Sequence, residues 1–92
     1  MMQLEQYYPG DDIWLAFSAL QRTIPEPAII TALKNTFPDE ALVYVIGGIM
    51  GDAALAWIEK EIPALDNLRP VDCVGNAKLE KRLKTMLMRM DI

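Results

Sequence analysis

Apolar residues recur along this chain at helical rather than strand spacing, and prolines and glycines cut the pattern into short segments. Tyr8-Pro9-Gly10 reads as a turn, after which Asp11 or Asp12 can cap a helix with Ile13, Phe17, Leu20 and Ile24 on its inner face. That helix must stop near Ile24, before Pro25-Glu26-Pro27. Pro27 suits the first turn of a second helix, with Ile30, Leu33 and Phe37 inward and Thr31, Lys34 and Asn35 outward. Thr36 and Asp39 approximate a capping box for a third helix through Ala41 and Val45. The run from Leu42 to Ile46 is rich in β-branched residues and reads either as this helix or as a buried strand; helix is preferred because no other segment reads as its pairing strand.

Asp52 is placed to cap a helix carrying Ala54, Leu55, Trp57 and Ile58, which Pro63-Ala64-Leu65 closes. Arg69 to Val74 reads as a single turn of helix. Asn76 caps a last helix whose stripe is Leu79, Leu83, Met86, Leu87 and Met90, with Lys78, Lys81, Arg82, Thr85, Met88 and Arg89 on the opposite side. The expected fold is therefore all-α, a compact array of about five to six short helices.

A chain of 92 residues is expected to form one domain, residues 1–92, with an N-terminal helical part at 1–40 and a second part at 42–92. The hydrophobic content of 52% and mean hydropathy of +0.13 exceed what so small an interior can hide, so apolar surface should remain for a partner. No run approaches the roughly 20 apolar residues of a membrane span, Ala41 to Met50 being interrupted by Gly47 and Gly48, and the start lacks the basic residues of a secretion signal. The expectation is a cytoplasmic protein without a membrane partner.

The absence of histidine removes the usual base near neutral pH and the commonest transition-metal ligand, and the single cysteine, Cys73, offers neither a disulfide nor a zinc set. No metal, cofactor or catalytic residue is expected. Glu59 with Glu61, and Asp11 with Asp12, sit at spacings that do not share a helix face and read as solvated charges or caps. Gly47, Gly48 and Gly51 lack nucleotide-binding spacing and read as packing and turn residues. Charge is uneven: residues 1–72 carry four Lys/Arg against eleven Asp/Glu, and residues 73–92 carry five against two. The acidic part disfavours DNA, while the basic final helix suits an acidic protein surface.

Three elements in order carry a family likeness: Gly51-Asp52-Ala53-Ala54-Leu55-Ala56-Trp57-Ile58, then Pro63-Ala64-Leu65-Asp66-Asn67-Leu68-Arg69-Pro70-Val71-Asp72, then a helix closing on Leu87-Met88-Arg89-Met90. Over residues 42 to 91 this pattern resembles the toxin-binding domain of the Xre/MbcA/ParS antitoxins, with Asn67 standing where that family commonly has glycine. The preceding 40 or so residues are shorter than the helix-turn-helix many members carry there. In physical terms Trp57 would anchor a short helix, and Pro63 and Pro70 would stiffen the loop between them. The expected structural core residues are Trp57, Pro63, Leu65, Pro70, Leu83 and Leu87.

The resemblance implies an antitoxin that binds a cognate toxin of the RES type, NAD-consuming or ADP-ribosylating, and covers its active site; homo-oligomers are common in that family. The expected contact residues are Arg82, Thr85, Met88, Arg89, Asp91 and Ile92, with the arginines offering forked hydrogen bonds and Met88 an adaptable apolar contact. The alternatives are a small phage or host adaptor that inhibits another enzyme, and a DNA-binding autorepressor.

Overall fold

The structure is a computed structural model and describes residues 4–21 and 26–90. It is helical, with no strand among the described residues. The α-helices are α1 (Asp11–Ala19), α2 (Pro27–Lys34), α3 (Glu40–Met50), α4 (Ala54–Trp57) and α5 (Ala77–Arg89), and α4 is no more than one turn. Tight 3-10 turns at Leu4–Tyr7, Gly51–Ala53, Pro63–Leu65 and Pro70–Cys73 make up the rest of the helical framework. The expected all-α class is what is seen, with fewer full helices and more single turns than anticipated.

At the centre lies α3, settled as helix: Leu42, Val43, Val45 and Ile46 are 0–2% exposed. Its cap is Asp39, whose side chain accepts from the Ala41 N–H at 3.0 Å, so the Thr36 capping box is not formed. Asp39 also holds Lys84 of α5 at 3.1 Å, tying the start of α3 to the last helix. Gly48 lets the chain just after α1 approach α3 closely: a Cβ there would collide with the Gln21 Oε1 and lie 3.0 Å from its Cβ. At Gly51 the backbone turns to φ 55°, ψ −132°, outside the helical region and open chiefly to glycine, which ends α3. Asp52 then lies in the 3-10 turn and does not cap α4, whose N-cap position is Ala53.

By length and composition alone, Glu40–Trp57 is an 18-residue helical run apolar enough to cross a membrane, with mean hydropathy 1.3. Here α3 instead forms the interior against which α1, α2 and α5 pack, and the turn at Gly51 breaks the straight rod a span requires.

The flanking helices bear out the sequence reading unevenly. On α2, Ile30 and Leu33 are buried, as is Phe37 beyond its end, and Thr31, Lys34 and Asn35 are exposed, all as expected. On α1 the face differs. Trp14, Ser18 and Gln21 are buried, whereas Ile13 is 55% and Leu20 72% exposed, and Ile24 falls outside the described residues. Trp14 is the larger side chain, and its ring fills the space beside Phe17 at 6.2 Å between centroids. Asp11 and Asp12 lie in the first turn instead of capping it, and the Asp11 carboxylate accepts from the Tyr8 hydroxyl at 2.6 Å.

The segment from Ile62 to Cys73 forms two linked turns. Ile62 and Leu68 pair as an isolated bridge, and Asp66 and Asn67 both take left-handed conformations, φ 59° and 65°. Asn67 thus supplies the backbone shape for which glycine is the usual choice. Leu65, Pro70 and Cys73 are buried beneath this loop, while Pro63 is exposed. Trp57, expected as the anchor, is only half-buried: Ala54 and Ile58 take the inward face of this turn, and Trp57 points about 100° away from Ile58. One core cluster draws its residues from both the 1–40 and the 42–92 parts.

Candidate protein-binding surface

The helix α5 was expected to present the contact residues. Its start is well defined: Asn76 accepts from the Leu79 N–H at 3.1 Å, and Glu80 accepts from the Gly75 N–H at 3.0 Å. Leu83 and Leu87 are fully buried and Met86 nearly so, which fixes the helix against the core. On the far side Lys78, Lys81 and Arg89 are exposed as the spacing suggested, but the middle of that face is covered. Arg82 and Thr85 are 6% and 2% exposed.

What covers them is the turn Leu4–Tyr7, a short strap laid along α5. Glu5 accepts two hydrogen bonds from Arg82, Oε1 from Nε at 2.8 Å and Oε2 from Nη2 at 3.3 Å, and lies 3.6 Å from Lys78. Asp66, from the loop on the other side, accepts from Arg82 Nη1 at 2.7 Å. The Thr85 hydroxyl donates to the Lys81 carbonyl at 2.7 Å, within its own helix. Arg89 is exposed and stacks on the Tyr7 ring at 4.5 Å. Met88 is half-buried and packs on the core, not out in the basic field. Asp91 and Ile92 lie outside the described residues.

The sequence reading found Arg82 and Arg89 but missed the residues that complete their surroundings, Glu5, Tyr7 and Asp66. Leu4, Tyr7 and Tyr8 recur at i, i+3 and i+4, the one local sign that this stretch has an apolar side to lay down. Nothing local signals its destination, since Glu5 and Arg82 are 77 residues apart.

The Arg82 hydrogen bonds hold the Glu5 carboxyl down at about 2, against an ordinary value of 4.5. A carboxyl lowered on folding stabilises the fold fully above its unfolded value and loses that contribution as pH falls toward its folded one. The strap's hold on α5 should therefore weaken between about pH 4.5 and 2. Glu5→Gln is expected to be less stable than the parent at pH 6, and the gap between their urea midpoints should close near pH 2. A gap that persists unchanged at pH 2 would show that the Glu5 charge is not what holds the strap.

Elsewhere, apolar side chains stand in solvent: Ile13 and Leu15 of α1 and Leu20 at its C-terminal cap, at 54–72% exposure, with Leu55 at 41%. Glu59, Glu61 and Asp12 are exposed, and no group of three or more potential metal ligands gathers among the described residues. No protein-family model, no curated protein and no solved structure matches this chain.

Proposed function

We propose that this chain is a protein-binding module of the antitoxin kind, acting without catalysis by covering the active site of a cognate toxin, a RES-type enzyme that consumes NAD or transfers ADP-ribose. The observation that carries the binding part is the apolar surface of α1. Ile13, Leu15 and Leu20 are exposed although the core beneath them is filled by Trp14, so they are surplus to folding. Ile13 and Leu20 stand on one flank of the buried Trp14 and Leu15 on the other, and large apolar side chains left in solvent on so small a domain support a contact role. The antitoxin part rests on the resemblance in residues 42 to 91, whose stiff loop between Pro63 and Pro70 packs against α5. The acidic N-terminal part and the pairing of Arg82 with Glu5 and Asp66 weigh against a DNA-binding role. The compartment proposed is the cytoplasm, and the chain is proposed to form a homo-oligomer.

The test is coexpression with a toxin encoded beside this chain, read as growth rescue and as a complex on size-exclusion chromatography with light scattering. A complex is expected, and it should weaken when Leu15 and Leu20 are replaced by serine, or when Met88 and Arg89 are replaced by alanine. Arg82 is left intact in these variants because its removal would strand Glu5. A folded chain that forms no complex with any neighbouring product would end the antitoxin reading and favour an adaptor for an unrelated enzyme.

A further inference from the structure

Resting on the protein-binding reading, we infer that Arg82 is a docking seat for an acidic segment of a protein partner, and that the chain's own strap occupies the seat as a stand-in. Lys78, Arg82, Thr85 and Arg89 fall within about 60° of one another around α5 and form one continuous stripe. The strap lies along that stripe and meets its three cations: Glu5 pairs with Lys78 and Arg82, and Tyr7 lies beneath Arg89.

The construction is costly if its purpose is stability alone. A buried ion pair returns little more than its desolvation penalty, and an apolar pair of the same volume commonly does as well or better. Arg82 nonetheless keeps its side chain 7% exposed between two carboxylates. The strap that covers it is a single 3-10 turn with no buried residue of its own, in contrast to every helix of the core. Asp66, the second partner of Arg82, is 69% exposed, so the seat borders on solvent along that flank. An arginine fork held flat in a partly dry recess recognises a carboxylate in two-point fashion, which a lysine could not reproduce.

The strap also specifies what fits. The stripe takes a carboxylate two residues before an aromatic ring, the Glu5–Tyr7 spacing, so the partner should offer an acidic residue and a nearby aromatic on a turn or an extended segment. Binding then exchanges one carboxylate for another on Arg82 without leaving the buried charge unpaired, and the strap competes with the partner.

The probe is a capped synthetic peptide with the sequence Leu4 to Tyr8, titrated by NMR into the full-length parent and into a full-length variant carrying Glu5→Gln and Tyr7→Ala. The peptide should bind the variant at least tenfold more tightly than the parent, shift the Arg82 and Arg89 side-chain signals, and lose its hold when its own glutamate is replaced by glutamine. If the double variant does not fold, Glu5→Gln alone is used and the same tenfold ranking is read. Equal binding to parent and variant, or none to a folded variant, overturns the seat. A parent protein that is dimeric by exchanging straps, while the variant is monomeric, overturns it in favour of a second copy as the occupant. The peptide result does not depend on finding a toxin: a failed seat leaves the protein-binding reading standing, and a failed coexpression leaves the seat standing.

Discussion

Replacing Trp14 by alanine is expected to remove about 3–5 kcal/mol of stability, the range for truncating a fully buried aromatic ring. Trp14 is 2% exposed and sits where α1 meets α3 and α5, beside Phe17 and beneath the Lys84 ammonium at 5.5 Å from its ring. A domain of this size has roughly 5–14 kcal/mol in total at about 0.05–0.15 per residue, so the variant should be marginal at room temperature. Trp14→Phe makes the sharper comparison. The indole N–H is buried without a hydrogen-bond partner among the described residues, and such a group costs about 1–3 kcal/mol. Phenylalanine removes that cost while giving up part of the packing, and the net change should be within about 1–2 kcal/mol of zero. Trp57→Ala should cost distinctly less than Trp14→Ala, because the Trp57 ring is only half-buried. Urea unfolding of the three variants decides the matter. A Trp57→Ala loss greater than that of Trp14→Ala would mean that the second half, not α1, supplies the anchor.

That contrast also shows what could be read from the pattern of residues. On α2 the apolar and polar positions separate cleanly, and the inward face was legible as Ile30, Leu33 and Phe37. On α1 six of nine residues are apolar, so spacing selects no face; bulk does, and it turns Trp14 inward and leaves Ile13, Leu15 and, at the helix end, Leu20 outside. The choice between helix and strand for Leu42 to Ile46 could not come from periodicity, because a segment buried on every side has none; Asp39 as a cap and Gly51 as a stop decide it. The stripe on α5 was legible through Leu83, Met86 and Leu87. The fate of its other side was not, because it depends on a strap from the opposite end of the chain. Helix-wheel arguments assign exposure by elimination, and any polar position covered by a distant segment escapes them.

Cys73 offers the second large effect, since its reactivity measures how the core opens. The thiol is fully buried, donates weakly to the Arg69 carbonyl at 3.8 Å, and is pushed up to about 11 from an ordinary 9.0, chiefly by burial and further by Asp72. The thiolate is the reacting form, so at pH 8 the folded protein presents almost none of it. Alkylation must then wait for an opening that exposes the 3-10 turn Pro70–Cys73 and frees it from α5. If that opening costs about 4 kcal/mol or more, native labelling at pH 8 will be at least on the order of a thousandfold slower than labelling in denaturant. As the chain has one cysteine, mass spectrometry reads the rate without ambiguity. A native rate within tenfold of the denatured one would overturn the burial of Cys73. The Trp14→Ala variant then separates two modes of opening. If the turn opens only when the whole domain unfolds, a loss of about 3–5 kcal/mol elsewhere in the core accelerates labelling by about two to three and a half orders of magnitude, at about 1.4 kcal/mol per tenfold. If the loop from Ile62 to Cys73 opens by itself, the rate in the variant stays near that of the parent, and the two halves of the chain are only loosely coupled despite their shared core.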